Sequence, residues 1–274
     1  MKLFTINQET CNKDGLCAAV CPAGIIDSKD GEYPMPIAEA DELCIRCGHC
    51  VAVCPTASLT HKEIPLESCT PIAKELGITH EQTVHFLRNR RSIRQYKDRP
   101  VDKSELKRLI DIARYAPSGH NLQPVEWLVF GDKTELKRLS GIVVDWMHWM
   151  LDNMTEIALS MHMDRTVARW DSGYDVILRD APAVIVAHAH KDNRVAPAAC
   201  TIALTYLELG STTMGMGACW AGYFNAAATT FPPMKEALDL PEDHQAFGSM
   251  MVGYPKYRYQ RMPIRNEPKI IWRL

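Results

Sequence analysis

Residues 44–55 read Cys44-Ile45-Arg46-Cys47-Gly48-His49-Cys50-Val51-Ala52-Val53-Cys54-Pro55. Two short spacers bring three thiols into one tight loop, a fourth follows, and a proline then turns the chain away. A loop of this size can wrap a small inorganic cube and aim its backbone N–H groups at anionic sulfur. Paired Cys-x2-Cys is also a structural zinc pattern, but zinc needs four ligands and requires neither the third close cysteine nor Cys-Pro. The spacing therefore points to an iron–sulfur cluster.

The same unit stands 33 residues earlier. Cys11, Cys17 and Cys21 recur as Cys44, Cys50 and Cys54, each copy ends in Cys-Pro, and the flanks CAAVCPAGII and CGHCVAVCPTASL match. Seven of the ten cysteines crowd into residues 11–54, which in a reducing compartment reads as metal binding and not as a disulfide framework. The run resembles that of the bacterial two-cluster ferredoxins, in which the fourth cysteine ligates the other cluster. That resemblance implies one [4Fe–4S] cluster on Cys44, Cys47, Cys50 and Cys21, and a second cluster on Cys11, Cys17 and Cys54. The counterpart of Cys47 in the first copy is Asp14. Two readings stand. The Asp14 carboxylate ligates a more labile [4Fe–4S] cluster, or Asp14-Gly15 is a turn and the cluster is [3Fe–4S].

The chain has 274 residues, 46% apolar and 23% charged, enough for one large domain beside a small one. A net charge of −2 argues against a nucleic-acid partner. Residues 1–60 carry four Lys and Arg against eight Asp and Glu, an acidic face suited to a redox partner. MKLFTINQET has no secretory apolar core, and no apolar stretch reaches membrane length. A cytoplasmic location without membrane contact is the expectation.

The repeat defines an iron–sulfur module over residues 1–61. Residues 62–80, with two prolines and no sustained period, read as a linker that can hold a short helix. A second domain fills 81–274. Helices are predicted at EQTVHFLRNRR, at DKSELKRLIDIARYA (Leu106, Leu109, Ile110 and Ala113 on one face, Asp102 or Ser104 as N-cap), at DKTELKRLSGIV, over 142–163, and at APAACTIALTYLELGSTTMG. VEWLVFG, APAVIVAHA, ACWAGYF and FGSMMVGYP read as strands, and KIIWRL as an edge strand or arm. Helices and strands intermix without βαβ repetition, so the class is α+β.

Two polar segments carry the second domain's chemistry. Arg88-Asn89-Arg90-Arg91-Ser92-Ile93-Arg94-Gln95-Tyr96 gathers guanidiniums and a hydroxyl at a helix end, a phosphate cradle by donor geometry. Ala116-Pro117-Ser118-Gly119-His120-Asn121-Leu122-Gln123-Pro124 is a turn-rich loop between helix and strand. With GMGACWAGYF and VGYPKYRYQRMPIR, these four segments resemble, in order, the signatures of the nitroreductase family, and the whole chain resembles its ferredoxin-fused branch. The resemblance implies a three-layer, dimeric domain binding FMN at the dimer interface. Arg90, Arg91, Ser92 and Arg94 would hold the phosphate and ribityl chain. Asn121 and Gln123 would bond the isoalloxazine edge, with Pro117 and Ser118 in the same site. Backbone groups of Trp220, Ala221, Gly222 and Tyr223 would line the ring near N5, and Arg261 or Arg265 would close on the phosphate. The chain departs from the family's serine pair at Ser118-Gly119, and carries Gly222 where some members have Glu.

Other motifs are weaker. Gly215-x-Gly217 lacks the third glycine and the acidic residue of a dinucleotide fingerprint. No histidines pair as HExxH. His188 and His190, at the end of a buried strand, read as structural. Trp146, Trp149 and neighbouring methionines read first as core and second as a substrate lid, in which His148 could donate a proton. The functional expectation is a reductase in which clusters feed FMN for two-electron reduction of a nitroaromatic, quinone or activated alkene. The electron donor is a redox protein or NAD(P)H. The alternatives are a relay between protein partners without its own substrate, or an NAD(P)H-dependent enzyme whose clusters are the electron exit.

Overall fold

The computed structural model describes residues 2–29 and 31–274. The chain divides into one unit of Met1–Ile78 with Gly119–Leu122, and a second of Thr79–Ser118 with Gln123–Leu274.

The first unit is built twice from the same backbone. Its elements are β1 (Phe4–Ile6), α1 (Leu16–Ala19), β2 (Ile26–Asp27), β3 (Met35–Pro36), α2 (Ala40–Leu43), α3 (His49–Val53) and β4 (Leu59–His61). Strand β1 pairs antiparallel with β4, and β2 with β3. The 33-residue repeat is repeated in the dihedrals. Lys13 and Arg46 have φ of 59° and 54°, Gly15 and Gly48 68° and 72°, and Gly24 and Ala57 61° and 51°. Left-handed backbone is uncommon outside glycine, so its recurrence at three matched pairs marks one loop design used twice. Each loop reverses at its glycine and enters a single helical turn. Leu3, Phe4, Ile25, Ile26, Val51 and Leu59 form the small core between the copies. Beyond β4 the unit continues through short 3₁₀ turns at Leu66–Ser68 and Lys74–Leu76.

The second unit begins at a capping box. Gln82 N–H donates to Thr79 Oγ1 at 3.2 Å, and Thr79 N–H donates to Gln82 Oε1 at 2.8 Å, satisfying two donors that a helix start leaves open. There follow α4 (His80–Asn89), α5 (Lys103–Ala113), β5 (Glu126–Phe130), α6 (Lys133–Asn153), α7 (Thr155–Ser160), α8 (Met163–Asp171), β6 (Ala183–His190), α9 (Ala196–Thr213), β7 (Gly217–Trp220), α10 (Gly222–Thr230), α11 (Pro232–Leu238) and β8 (His244–Gly253). Asp102 is the N-cap of α5, whose Leu106, Leu109 and Ala113 are buried.

The sheet has the order β5-β6-β8-β7, antiparallel throughout. Helices cover both faces, which is why β6 reads as an unbroken apolar run. Val184 and Val186 pack with α6, α8, α10 and α11, while Ile185, Ala187 and Ala189 pack with α5 and α9. The result is a three-layer α+β unit. Two expectations are corrected. ACWAGYF is not one strand: β7 stops at Trp220 and a helix starts at Gly222. The 142–163 segment is not one helix: it breaks at Met154 and at His162, which has φ 55°. KIIWRL carries neither helix nor strand.

Candidate functional site

The first unit gathers thiols. Cys21 joins Cys44, Cys47 and Cys50 around one pocket, walled also by the Ile45–Gly48 loop and His61. All four are free thiols. The Cys50 thiol is pushed up to about 11, first by burial and then by its neighbours Cys47, Cys44 and Cys21. Four converging sulfurs form a donor set that suits a metal cluster. Backbone donors serve both sets: Arg46 N–H points at Cys44 Sγ at 3.4 Å, and, in the set of Cys11, Cys17 and Cys54, Ser58 N–H points at Cys54 Sγ at 3.2 Å. Burial works against the Cys54 thiolate, but donors from Ser58 and Thr56 bring its pKa below the ordinary thiol value.

Cys17 lies near Cys54 and Asp14. Its pKa is raised, mainly by burial and partly by those two acids. Asp14 Oδ1 accepts the Leu16 N–H at 3.0 Å. The donor stands two residues after the acceptor, as it does where Arg46 follows Cys44. This is an Asx turn, which both readings of Asp14 allow.

His61 is 3% exposed. Its Nδ1 accepts the Glu63 N–H at 3.1 Å, and burial holds its pKa below the usual range. The neutral ring therefore carries its proton on Nε2, which lies 3.6 Å from Cys44 Sγ. Also in this unit, the Asn121 amide donates to the carbonyls of Ile45 at 3.3 Å and Arg46 at 2.8 Å.

In the second unit the segment after α4 is stitched to the sheet. Ile93 N–H donates to Ala218 O at 2.9 Å, Tyr96 OH to Ile93 O at 2.7 Å, and Lys97 N–H to Tyr254 O at 2.8 Å. A Cβ on Gly217 would stand 2.3 Å from Ile93 Cγ1, so only glycine allows this close approach. The four predicted phosphate residues then separate by role. Arg90 donates to the buried Glu208 at 2.7 Å. Ser92 is half-buried. Arg91 donates through Nη1 to Arg90 O at 2.9 Å, while its Nε and Nη2 are buried without a partner. Burying guanidinium donors unpaired is costly, so these two call for an anion.

Arg94 lines a cleft of about 350 Å³ with Trp220, Ala221, Gly222 and Tyr223, the residues expected at the ring. Met161, one of the methionines read as core or lid, also lines it, tied in by Tyr223 OH donating to its carbonyl at 2.8 Å. Arg179, a further member, was not singled out in the sequence. Arg179 stands at φ 57°, and its signal was a lone cation just before a buried strand. Pro117, Ser118 and Gln123 line a different cleft of about 240 Å³ with Arg114 and Trp127. There Gln123 N–H donates to Ser118 Oγ at 2.9 Å. Arg261 and Arg265 are exposed in the terminal stretch. His148 is exposed on α6, whereas Trp146, Met147 and Met150 are core.

Residues 87–254 match the nitroreductase family. The chain belongs to that family. Residues 10–59 match the 4Fe-4S dicluster domain, so this oxidoreductase carries a ferredoxin-type module ahead of its nitroreductase domain. A protein of Archaeoglobus fulgidus, provisionally named NADH dehydrogenase/NAD(P)H nitroreductase, is 26% identical over 64% of this chain and 87% of its own length. Among solved structures, an FMN-bound nitroreductase of Bacteroides fragilis superposes with a TM-score of 0.59 at 18% identity, covering 70% of this chain and 99% of its own. An FMN-bound nitroreductase of Desulfitobacterium hafniense gives 0.57 at 21%, covering 71% and 99%. At these identities the two structures speak to the fold alone. No helix among the described residues is long and apolar enough to cross a membrane.

Proposed function

We propose that this nitroreductase-family oxidoreductase takes electrons singly through two iron–sulfur clusters and uses FMN to reduce an organic acceptor by two electrons. The observation that carries this reading is the pair of buried, unpartnered guanidinium atoms of Arg91, three residues before the Arg94 that lines the cleft with Trp220–Tyr223. They suit a phosphate, and the FMN bound by the solved relatives supplies one. Bound FMN supplies the conversion between one-electron and two-electron transfer. The chain's own part is to hold and polarise. Cys21, Cys44, Cys47 and Cys50 take one cluster, and Cys11, Cys17, Cys54 and Asp14 the other. Arg91 takes the phosphate, and Arg94 with the Trp220–Tyr223 backbone takes the ring end, where cations and N–H dipoles favour a reduced, anionic ring.

Pro117, Ser118 and Gln123 line a different cleft from Arg94 and Trp220. A second copy of the chain could bring the two groups onto one flavin, which supports a homodimer. The exposed Ile264, Ile270, Ile271, Trp272 and Leu274 offer apolar surface for that partner. The name of the Archaeoglobus relative favours NAD(P)H as a donor to be tested beside reduced ferredoxin.

The test is iron, sulfide and flavin content of anaerobically purified protein, with EPR before and after dithionite. The expected content is about eight iron and about one FMN per chain. Zinc in place of iron at the cysteines, or no flavin, overturns the reading. Steady-state rates with NADH, NADPH and reduced ferredoxin then assign the donor.

A further inference from the structure

One end of the four-stranded sheet carries a cluster that the proposed flavin chemistry does not use. Strand β5 begins at Glu126, β8 begins at His244, and β6 ends in His188-Ala189-His190. The register sets Glu126 opposite His188 and His190 opposite His244. The β6–β8 ladder is irregular between Ala187 and His188, and such irregularities re-aim side chains. His188 is 5% exposed. Its Nδ1 lies 3.1 Å from Nδ1 of His244, and Nε2 of His244 lies 3.9 Å from Oε1 of Glu126. One donor atom from each of the three lies within 4.8 Å of the other two.

A single shared N–H between the imidazoles accounts for the 3.1 Å contact alone. The Glu126 carboxylate faces the other nitrogen of His244, Nε2, so what points to a shared ion is that one donor atom from each of the three residues lies within 4.8 Å of the other two. A tetrahedral zinc ion with bonds of about 2.0–2.1 Å holds its ligand atoms roughly 3.3 Å apart; the two imidazole nitrogens already stand at 3.1 Å, and the Glu126 carboxylate, within 4.8 Å, would close in on binding. Two imidazoles and one carboxylate form a mixed nitrogen and oxygen set suited to a borderline divalent ion.

We propose that Glu126, His188 and His244 bind a divalent ion of the zinc type, with water in the fourth position. The ion ties together three of the four strands of the sheet, including the outer strand β5. His190 stands at the rim, its Nδ1 accepting the Asp192 N–H at 3.2 Å and its ring centroid 6.1 Å from that of His244. The site is independent of the cluster cysteines and of the flavin reading.

The test uses the anaerobic full-length holoprotein, dialysed against micromolar zinc chloride, with zinc and iron per chain measured by plasma mass spectrometry. About one zinc is expected per chain with iron unchanged. Glu126→Gln, at an exposed position, and His244→Gln should each weaken zinc retention at least about tenfold. Zinc should raise the unfolding temperature of the parent and not of these variants. Asp243→Asn, in the neighbouring Lys191 ion pair, should keep the zinc. Zinc gained only as iron is lost, or retained equally by the parent and both ligand variants, overturns the proposal.

Discussion

The Arg90 guanidinium donates to the Glu208 carboxylate at 2.7 Å, and that carboxylate side chain is 6% exposed on the otherwise uncharged helix α9. A buried charge needs its partner, and removing one side strands the other. Glu208→Gln is therefore expected to lower unfolding stability by about 3 kcal/mol, read from the denaturant midpoint, while flavin per folded chain is unchanged. Flavin lost without loss of stability would instead assign Arg90 to the phosphate.

Arg91 should behave in the opposite way. Its Nε and Nη2 have no protein partner to lose, and a charge-assisted hydrogen bond contributes roughly 1.5–3 kcal/mol. Arg91→Lys keeps the charge but not the fork. It should weaken FMN binding by roughly 10–100-fold, measured by fluorescence of released flavin, with a near-parental unfolding midpoint for the flavin-free protein. Unchanged affinity would remove Arg91 from the site.

Much of this was legible in the sequence where chemistry follows local spacing. The Cys44–Pro55 run and its copy specify their own loops, down to the matched left-handed pairs such as Gly15 and Gly48. Helix α5 announces itself by Asp102 and a four-residue apolar face. The failures have physical causes. ACWAGYF was misread because Trp220 and Tyr223 raise strand propensity, while the turn at Ala221 (φ −91°, ψ 69°) that starts α10 has no cap side chain to betray it. The Arg90–Glu208 pair was not legible because the two residues stand 118 positions apart. His188 and His244, 56 residues apart, become neighbours only through the β6–β8 register, which single-strand patterns do not reveal.

His61 should tune one cluster. Its Nε2–H faces Cys44 Sγ at 3.6 Å, within reach for sulfur, and the Glu63 N–H on Nδ1 fixes that tautomer. A donor to a ligand sulfur stabilises the more negative, reduced cluster. His61→Phe should shift one midpoint potential downward by about 40 mV, the one-electron equivalent of a hydrogen bond of about 1 kcal/mol. An EPR-monitored redox titration reads it. A shift of neither potential would leave His61 as packing.

Asp14 is expected to act as a ligand, since it stands at the repeat position of the ligand Cys47. Asp14→Ala should cost about one iron per chain and bring up a three-iron EPR signal in the oxidised protein, and Asp14→Cys should restore full iron. If the unsubstituted protein already shows the three-iron signal, Asp14 is a turn residue.

Cys200 gives a prediction at high pH. It is wholly buried on α9, and desolvation pushes its thiol up to about 12. Unfolded, the same thiol titrates near its ordinary value of about 8.5. Between those limits the unfolded chain has released the proton and the folded chain has kept it. The unfolded state binds fewer protons there, so stability falls as pH rises, by at most about 1.4 kcal/mol per pH unit from this group. Below the lower limit the group has no effect on the slope. Buried tyrosines such as Tyr96, raised by the same desolvation, add in the same direction. The comparison is therefore made with Cys200→Ala, which is less stable at neutral pH because it leaves a small cavity but should lose stability less steeply between pH 9 and 11. Denaturant midpoints at stepped pH measure both slopes. Parallel slopes, or rapid alkylation of Cys200 in the native protein at pH 8, would show that the thiol is in contact with water.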